Sequence, residues 1–120
     1  MEALRKTLMQ EVEKYKALQK DFQKAYSLRH KLDTQLNENT VVKEELDLLG
    51  PDAGVYKLIG PVLVKQDHEE ARENVDKRLE YISTELKRHD SLLGELEKKQ
   101  DAQRDIIRKL EQQIQQSKTK

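Results

Sequence analysis

Apolar residues recur alternately four and three positions apart through two long stretches of the chain, with a few polar residues taking places in the series. The first series runs Leu4, Leu8, Glu11, Tyr15, Leu18, Phe22, Ala25, Arg29, Leu32, Leu36, Asn39, Lys43 and Leu46. The second runs Val75, Leu79, Ile82, Leu86, His89, Leu93, Leu96, Gln100, Gln103, Ile107, Leu110, Ile114 and Ser117. A mean spacing of 3.5 residues held for about six heptads is the pattern of a coiled-coil seam. Between the two series the pattern changes. Val55-Tyr56-Lys57-Leu58-Ile59-Gly60-Pro61-Val62-Leu63-Val64-Lys65-Gln66 holds two short β-branched and apolar runs split by Gly-Pro, which predicts a β-hairpin.

The ends of these elements are marked as well. Gly50-Pro51 after Leu49 predicts the stop of the first helix, because Gly takes the left-handed conformation and Pro cannot continue a helix. Asp67 with Glu70 three residues later has the spacing of a capping box, and Glu69 adds negative charge to the first turn. Residues 37–42, Asn-Glu-Asn-Thr-Val-Val, are weak helix formers, so the first helix is expected to bend or fray there. The organisation is one domain: helical arm 1 over 1–49, a turn and hairpin over 50–66, and helical arm 2 over 67–120. Glu73–Lys77, Glu95–Lys99 and Asp105–Lys109 are spaced to pair along the second helix, each worth a few tenths of a kcal/mol.

The fold class that follows is mainly α: a long antiparallel two-helix coiled coil with a single β-hairpin at the turn. The register that sets Leu4 against Ile114 also sets Leu8 against Leu110, Phe22 against Leu96 and Leu36 against Ile82. It brings Arg29 to His89 and Tyr15 to Gln103, so polar interruptions largely meet each other. Leu28 and Leu92, just off the seam, would face each other beside Arg29. A slip of one heptad puts Arg29 on Ile82, which is worse. Each arm would be on the order of 65–70 Å long at about 1.5 Å per residue.

Composition narrows the function. Hydrophobic residues are 35% of the chain and charged residues 38%, too little apolar material for a globular core but enough for a seam. Disorder is disfavoured by the regular apolar period and by 23 basic residues balancing 23 acidic ones. The same balance argues against nucleic acid as a partner, since Lys118-Thr119-Lys120 is a short basic ending. No apolar run approaches the roughly 20 residues that span a bilayer, and the N-terminus lacks a signal-peptide core, so neither membrane nor export is expected. With no Cys, the cytoplasm is the default expectation. His30, His68 and His89 have no His or Cys at i+3 or i+4, and no phosphate-binding loop or nucleophile elbow is present. No enzyme, cofactor or metal is expected.

An isolated two-stranded hairpin is marginal in water, and this chain has no further strand to offer. Val55, Tyr56, Leu58, Ile59, Val62, Leu63 and Val64 are too many apolar groups for one covered face. They are read as an assembly surface completed by strands of other subunits. A plain structural hairpin is the alternative.

Helix, single hairpin, helix, together with Val55–Gln66, residues 35–46 (Gln-Leu-Asn-Glu-Asn-Thr-Val-Val-Lys-Glu-Glu-Leu) and Glu13-Lys14-Tyr15, resembles the β-type subunits of prefoldin across nearly the whole chain. The resemblance implies a hetero-hexamer of two α-type and four β-type subunits, with hairpins joined in an intersubunit β-barrel and coiled coils hanging from it. It implies that the arm tips hold non-native polypeptides such as actin and tubulin chains and deliver them to the group II cytosolic chaperonin, without nucleotide. Two rivals stay open: a static coiled-coil scaffold, and a specialised prefoldin-like complex serving assembly factors.

The tip residues are Leu4, Leu8, Met9, Val12, Ile106, Ile107, Leu110 and Ile114. They either close the coiled coil or offer apolar surface to unfolded chains. In the register above Glu11 faces Ile107, leaving a mismatched layer, while Gln100 and Gln103 soften the seam before it. Met9, Val12 and Ile106 lie off the seam, Val12 and Ile106 on opposite sides. Adaptable, Met-containing surfaces tolerate varied partners.

Overall fold

The computed structural model describes residues 1–50 and 52–119; Pro51 of the expected helix stop and Lys120 of the basic ending lie outside the described residues. Helix α1 spans Glu2–Leu48, strand β1 Val55–Ile59, strand β2 Val62–Gln66 and helix α2 His68–Thr119. The two strands pair antiparallel in a two-stranded sheet. Every residue of the first seam series is at least half-buried, and so is every residue of the second except Ser117, while nearly all other helical positions are exposed. The seam drawn from spacing is the seam that packs.

Residues 37–42 do not interrupt α1. The Asn39 side-chain amide donates to the carbonyl of Gln35 at 2.7 Å, and the Thr40 hydroxyl donates to that of Leu36 at 2.7 Å. Each side chain shares a carbonyl of the preceding turn with the helix ladder, a mildly unfavourable arrangement. The packed seam on the same helix tolerates it, and α1 continues to Leu48. At the start of α2, Asp67 occupies the N-cap position, its carbonyl accepting from the Ala71 N–H at 2.9 Å. The reciprocal side-chain bonds of a capping box do not form among the described residues.

The surface ion pairs also differ from the expected ones. Asp105 pairs with Arg108 at 3.1 Å, not with Lys109, and Glu85 with Arg88 at 2.7 Å; Glu73–Lys77 and Glu95–Lys99 do not form. Spacings of three and four are both neighbours on a helix, and exposed pairs contribute too little to fix one rotamer over another.

The chain divides into two compact units. The unit of residues 30–88 contains the hairpin and the adjoining parts of both helices. Its core is Leu46, Ala71 and Val75, with Val55 of β1 and Leu79 packed on it. Ala71 extends the α2 seam by one four-residue step before Val75, so the first turn of α2 closes over the last turn of α1. His68 Nε2 lies 2.7 Å from the Leu46 carbonyl, where only a ring N–H can be the donor. That bond satisfies one of the carbonyls a helix end leaves without an intrahelical partner. Lys43–Asp76 at 2.8 Å and Arg72–Asp47 at 3.1 Å join the two helices along the flank.

The unit of residues 1–29 and 89–120 contains both chain ends. Ala25, Leu96 and Ile114 are its buried apolar residues, and His89 and Gln103 are buried with them. Phe22 and Tyr26 stack with ring centroids 6.4 Å apart. Arg29 Nε donates to Asp90 Oδ1 at 2.5 Å, next to the His89 that the register placed opposite it. Leu28 and Leu92 remain 43% and 40% exposed, so they do not widen the buried contact as expected.

Candidate functional site

The hairpin is built by its turn. Ile59 and Val62 pair directly, leaving a two-residue connection of Gly60 and Pro61. Gly60 has φ +58°, a left-handed conformation that L side chains rarely adopt. Pro61 follows with a ring that fixes φ near −65°, so the second turn position is preset. Hairpins of this length favour Gly first because its backbone twist matches that of the strands.

From that turn the register runs Leu58 opposite Leu63, Lys57 opposite Val64, Tyr56 opposite Lys65 and Val55 opposite Gln66. Alternation along each strand places Tyr56, Leu58, Leu63 and Lys65 on one face, and Val55, Lys57, Ile59, Val62, Val64 and Gln66 on the other. Only Val55 is half-buried, through its contact with the helical core; the other six expected assembly residues are exposed. Leu58 and Leu63 face each other across the strands and are 66% and 65% exposed. Both faces thus present apolar side chains, and each strand has an outer edge with no partner strand among the described residues.

The apolar residues near the chain ends are less uniform. Met9 is 71% exposed and Ile106 is exposed, whereas Leu4, Leu8, Val12, Ile107 and Leu110 are half-buried and Ile114 is buried. The polar layer among them is matched in a way the spacing did not indicate. The Gln103 amide donates to the Glu11 backbone carbonyl at 2.8 Å and to its carboxylate at 2.5 Å. Gln103 therefore reaches about one turn further toward the N-terminus of α1 than Tyr15, its expected counterpart, and Glu11 is not stranded against Ile107. The Gln103 bond, followed by one from Lys14, holds the Glu11 carboxyl below the usual carboxylate range. Gln100 differs: its buried side-chain nitrogen has no hydrogen-bond partner among the described residues.

No cluster of three or more His, Asp or Glu able to hold a metal occurs among the described residues, and no described helix is long and apolar enough to cross a membrane.

Comparison with known proteins agrees with this architecture. A family model described as prefoldin subunit matches residues 9–119. The chain is 52% identical over 114 residues to prefoldin subunit 6 of Mus musculus, covering 95% of this chain and 90% of that protein. It is 58% identical over 98 residues to prefoldin subunit 6 of Arabidopsis thaliana, covering 82% and 76%. The crystal structure of the prefoldin β subunit from Thermococcus strain KS-1 superposes with a TM-score of 0.79 at 20% identity, covering 86% of this chain and 90% of that one.

Proposed function

The chain belongs to the prefoldin subunit family, and from that premise we propose that it is a β-type subunit of a cytoplasmic hetero-hexameric co-chaperone that works without nucleotide. Its hairpin joins those of α- and β-type subunits in a shared β-barrel. Its arm ends hold non-native polypeptides, actin and tubulin chains among them, for transfer to the group II chaperonin. The observation that carries the reading is the hairpin with apolar groups exposed on both faces and both edges open. Left alone, such edges template aggregation; closure with other strands removes them.

Client holding rests on Leu4, Leu8, Met9, Val12, Ile106, Ile107, Leu110 and Ile114. Met9 and Ile106 are the solvent-facing members, and the half-buried ones become available by local opening of the coil. The Gln100 nitrogen, buried without a partner, weakens the seam in the same unit and favours such opening. Weak contacts spread over several arms add through effective concentration, so modest affinity per arm retains a client. Release then needs only competition by a second receptor.

Two variants test this in parallel. Val62→Asp, co-expressed with partner subunits, is expected to keep its helicity and lose the assembly, as read by native mass spectrometry. Removal of residues 1–10 and 105–120 is expected to keep the assembly and lose suppression of client aggregation. A full assembly with Val62→Asp, or unchanged suppression after trimming, contradicts the corresponding half of the reading.

A further inference from the structure

Two grooves in the unit of residues 30–88 share Arg78 as a wall. One, about 330 Å³, runs beside β1 and is floored by Leu46 and Val75. The other, about 500 Å³, lies over Ile82 and is bordered by Tyr81, Gln35 and Asn39. These volumes fall in the roughly 300–1,000 Å³ range of sites that enclose ligand groups.

Their charge is one-sided. Lys57, Lys77 and Arg78 line the pair of grooves, and no Asp or Glu does, in a chain with 23 acidic residues and zero net charge. None of the three cations has a carboxylate at ion-pair distance among the described residues. Three carboxylates of the same unit are engaged elsewhere: Asp76 by Lys43, Asp47 by Arg72 and Glu85 by Arg88. Tyr81 is 64% exposed, so an aromatic ring stands at the rim beside the cations.

We propose that the groove over Ile82, with Lys77 and Arg78 on its wall, docks an acidic, apolar-bearing linear segment of a partner protein. Carboxylates of the segment meet Lys77 and Arg78, with Arg78 able to take one in a bidentate fork. An apolar side chain between them sits on Ile82 against the Tyr81 ring. The Gln35 and Asn39 amides stand where the segment's backbone groups pass, and their dipoles suit either a peptide N–H or a carbonyl. The groove beside β1 includes Val55, Tyr56 and Leu58, which the proposed assembly uses. The segment's contacts therefore lie in the groove over Ile82, which no hairpin residue and none of the apolar residues near the chain ends line. Nucleic acid fits it less well: two cations over an apolar floor are too few to track a phosphate backbone, and the net charge of the chain is zero.

The test uses the full chain in the assembly it purifies with. The probe is a fluorescein-labelled synthetic peptide alternating Asp or Glu with Leu or Phe, followed by fluorescence anisotropy. Binding is expected, and the double variant Lys77→Glu, Arg78→Glu should weaken it about tenfold or more, as reversed charges repel the acidic probe. Lys98→Glu, an exposed charge in the other unit, should leave it unchanged. If the reversal variant loses the assembly in sedimentation, Lys77→Gln with Arg78→Gln takes its place, with about threefold weakening expected. The proposal is overturned if the wild-type assembly does not bind the probe, or if the groove variants bind it as well as wild type. Equal binding of an all-Glu peptide, or displacement of the probe by oligothymidylate at matched concentration, overturns it equally.

Discussion

The side-chain amide of Gln103 bonds both the carbonyl and the carboxylate of Glu11, joining residues 92 positions apart in sequence. Gln103 is buried, and its partner is the charged residue that interrupts the first seam. A polar pair of this kind fixes register, because any slip leaves a buried amide against an apolar side chain.

This bond makes the chain-end unit sensitive to acid. The folded-state Glu11 carboxyl titrates below its ordinary value near 4.5, chiefly because of the Gln103 bond. Its stabilising contribution is therefore complete above that value and is lost as pH falls through the lowered folded one. Glu11→Gln removes the contribution at all pH values. The difference in melting temperature between wild type and variant should be constant from neutral pH down to about 5 and shrink below 4.5. Circular dichroism melts across pH 3–7 measure it; a constant difference throughout contradicts the assignment.

At the hairpin end, His68 ties the start of α2 to the Leu46 carbonyl. His68→Phe keeps ring volume and removes the donor. Because Leu46 also accepts weakly from the Leu49 N–H at 3.3 Å, the loss should lie near 1 kcal/mol. Urea denaturation of the assembled protein gives the value, and amide exchange should quicken around residues 46–49.

Gly60 has open space where a Cβ would sit, so Gly60→Ala isolates the effect of backbone conformation. The φ of +58° should make the alanine variant less stable by about 1–2 kcal/mol. Gly60→Asn, which tolerates this region better, should recover part of it. Sedimentation at graded concentrations would show weaker assembly for Ala than for Asn; equal assembly by all three contradicts the turn geometry.

The Arg29–Asp90 pair is short, yet both side chains are partly open to solvent. Asp90→Asn is expected to cost less than about 1 kcal/mol. Leu96→Ala, at a buried seam position in the same unit, should cost about 2–4 kcal/mol. Thermal melts of the two variants side by side check the order.

The seam was legible in the sequence because a 3.5-residue period leaves one stripe for burial. Even Arg29, Asn39 and Lys43, polar residues in that stripe, are half-buried. The hairpin was legible because Val, Ile and Leu runs around Gly60-Pro61 conflict with the helical pattern on both sides. Side-chain reach was less legible. Spacing placed Gln103 opposite Tyr15, but a three-bond side chain spans a turn and found Glu11. Spacing also put Leu28 against Leu92, yet positions just off a seam splay outward and both stay exposed.

The sequence by itself determined the element order, the buried stripe and the unmet pairing of the hairpin, since each follows from local periodicity and turn chemistry. Tertiary structure decided what depends on residues distant in the chain arriving together. It closed Ile114 while leaving Met9 and Ile106 open, matched Glu11 with Gln103, and set Val55 on the core of Leu46, Ala71 and Val75. It also set Lys57, Lys77 and Arg78 along two grooves that share Arg78 and that no carboxylate lines. No spacing rule encodes that separation of charge, because it arises only when a strand and two helices share a wall.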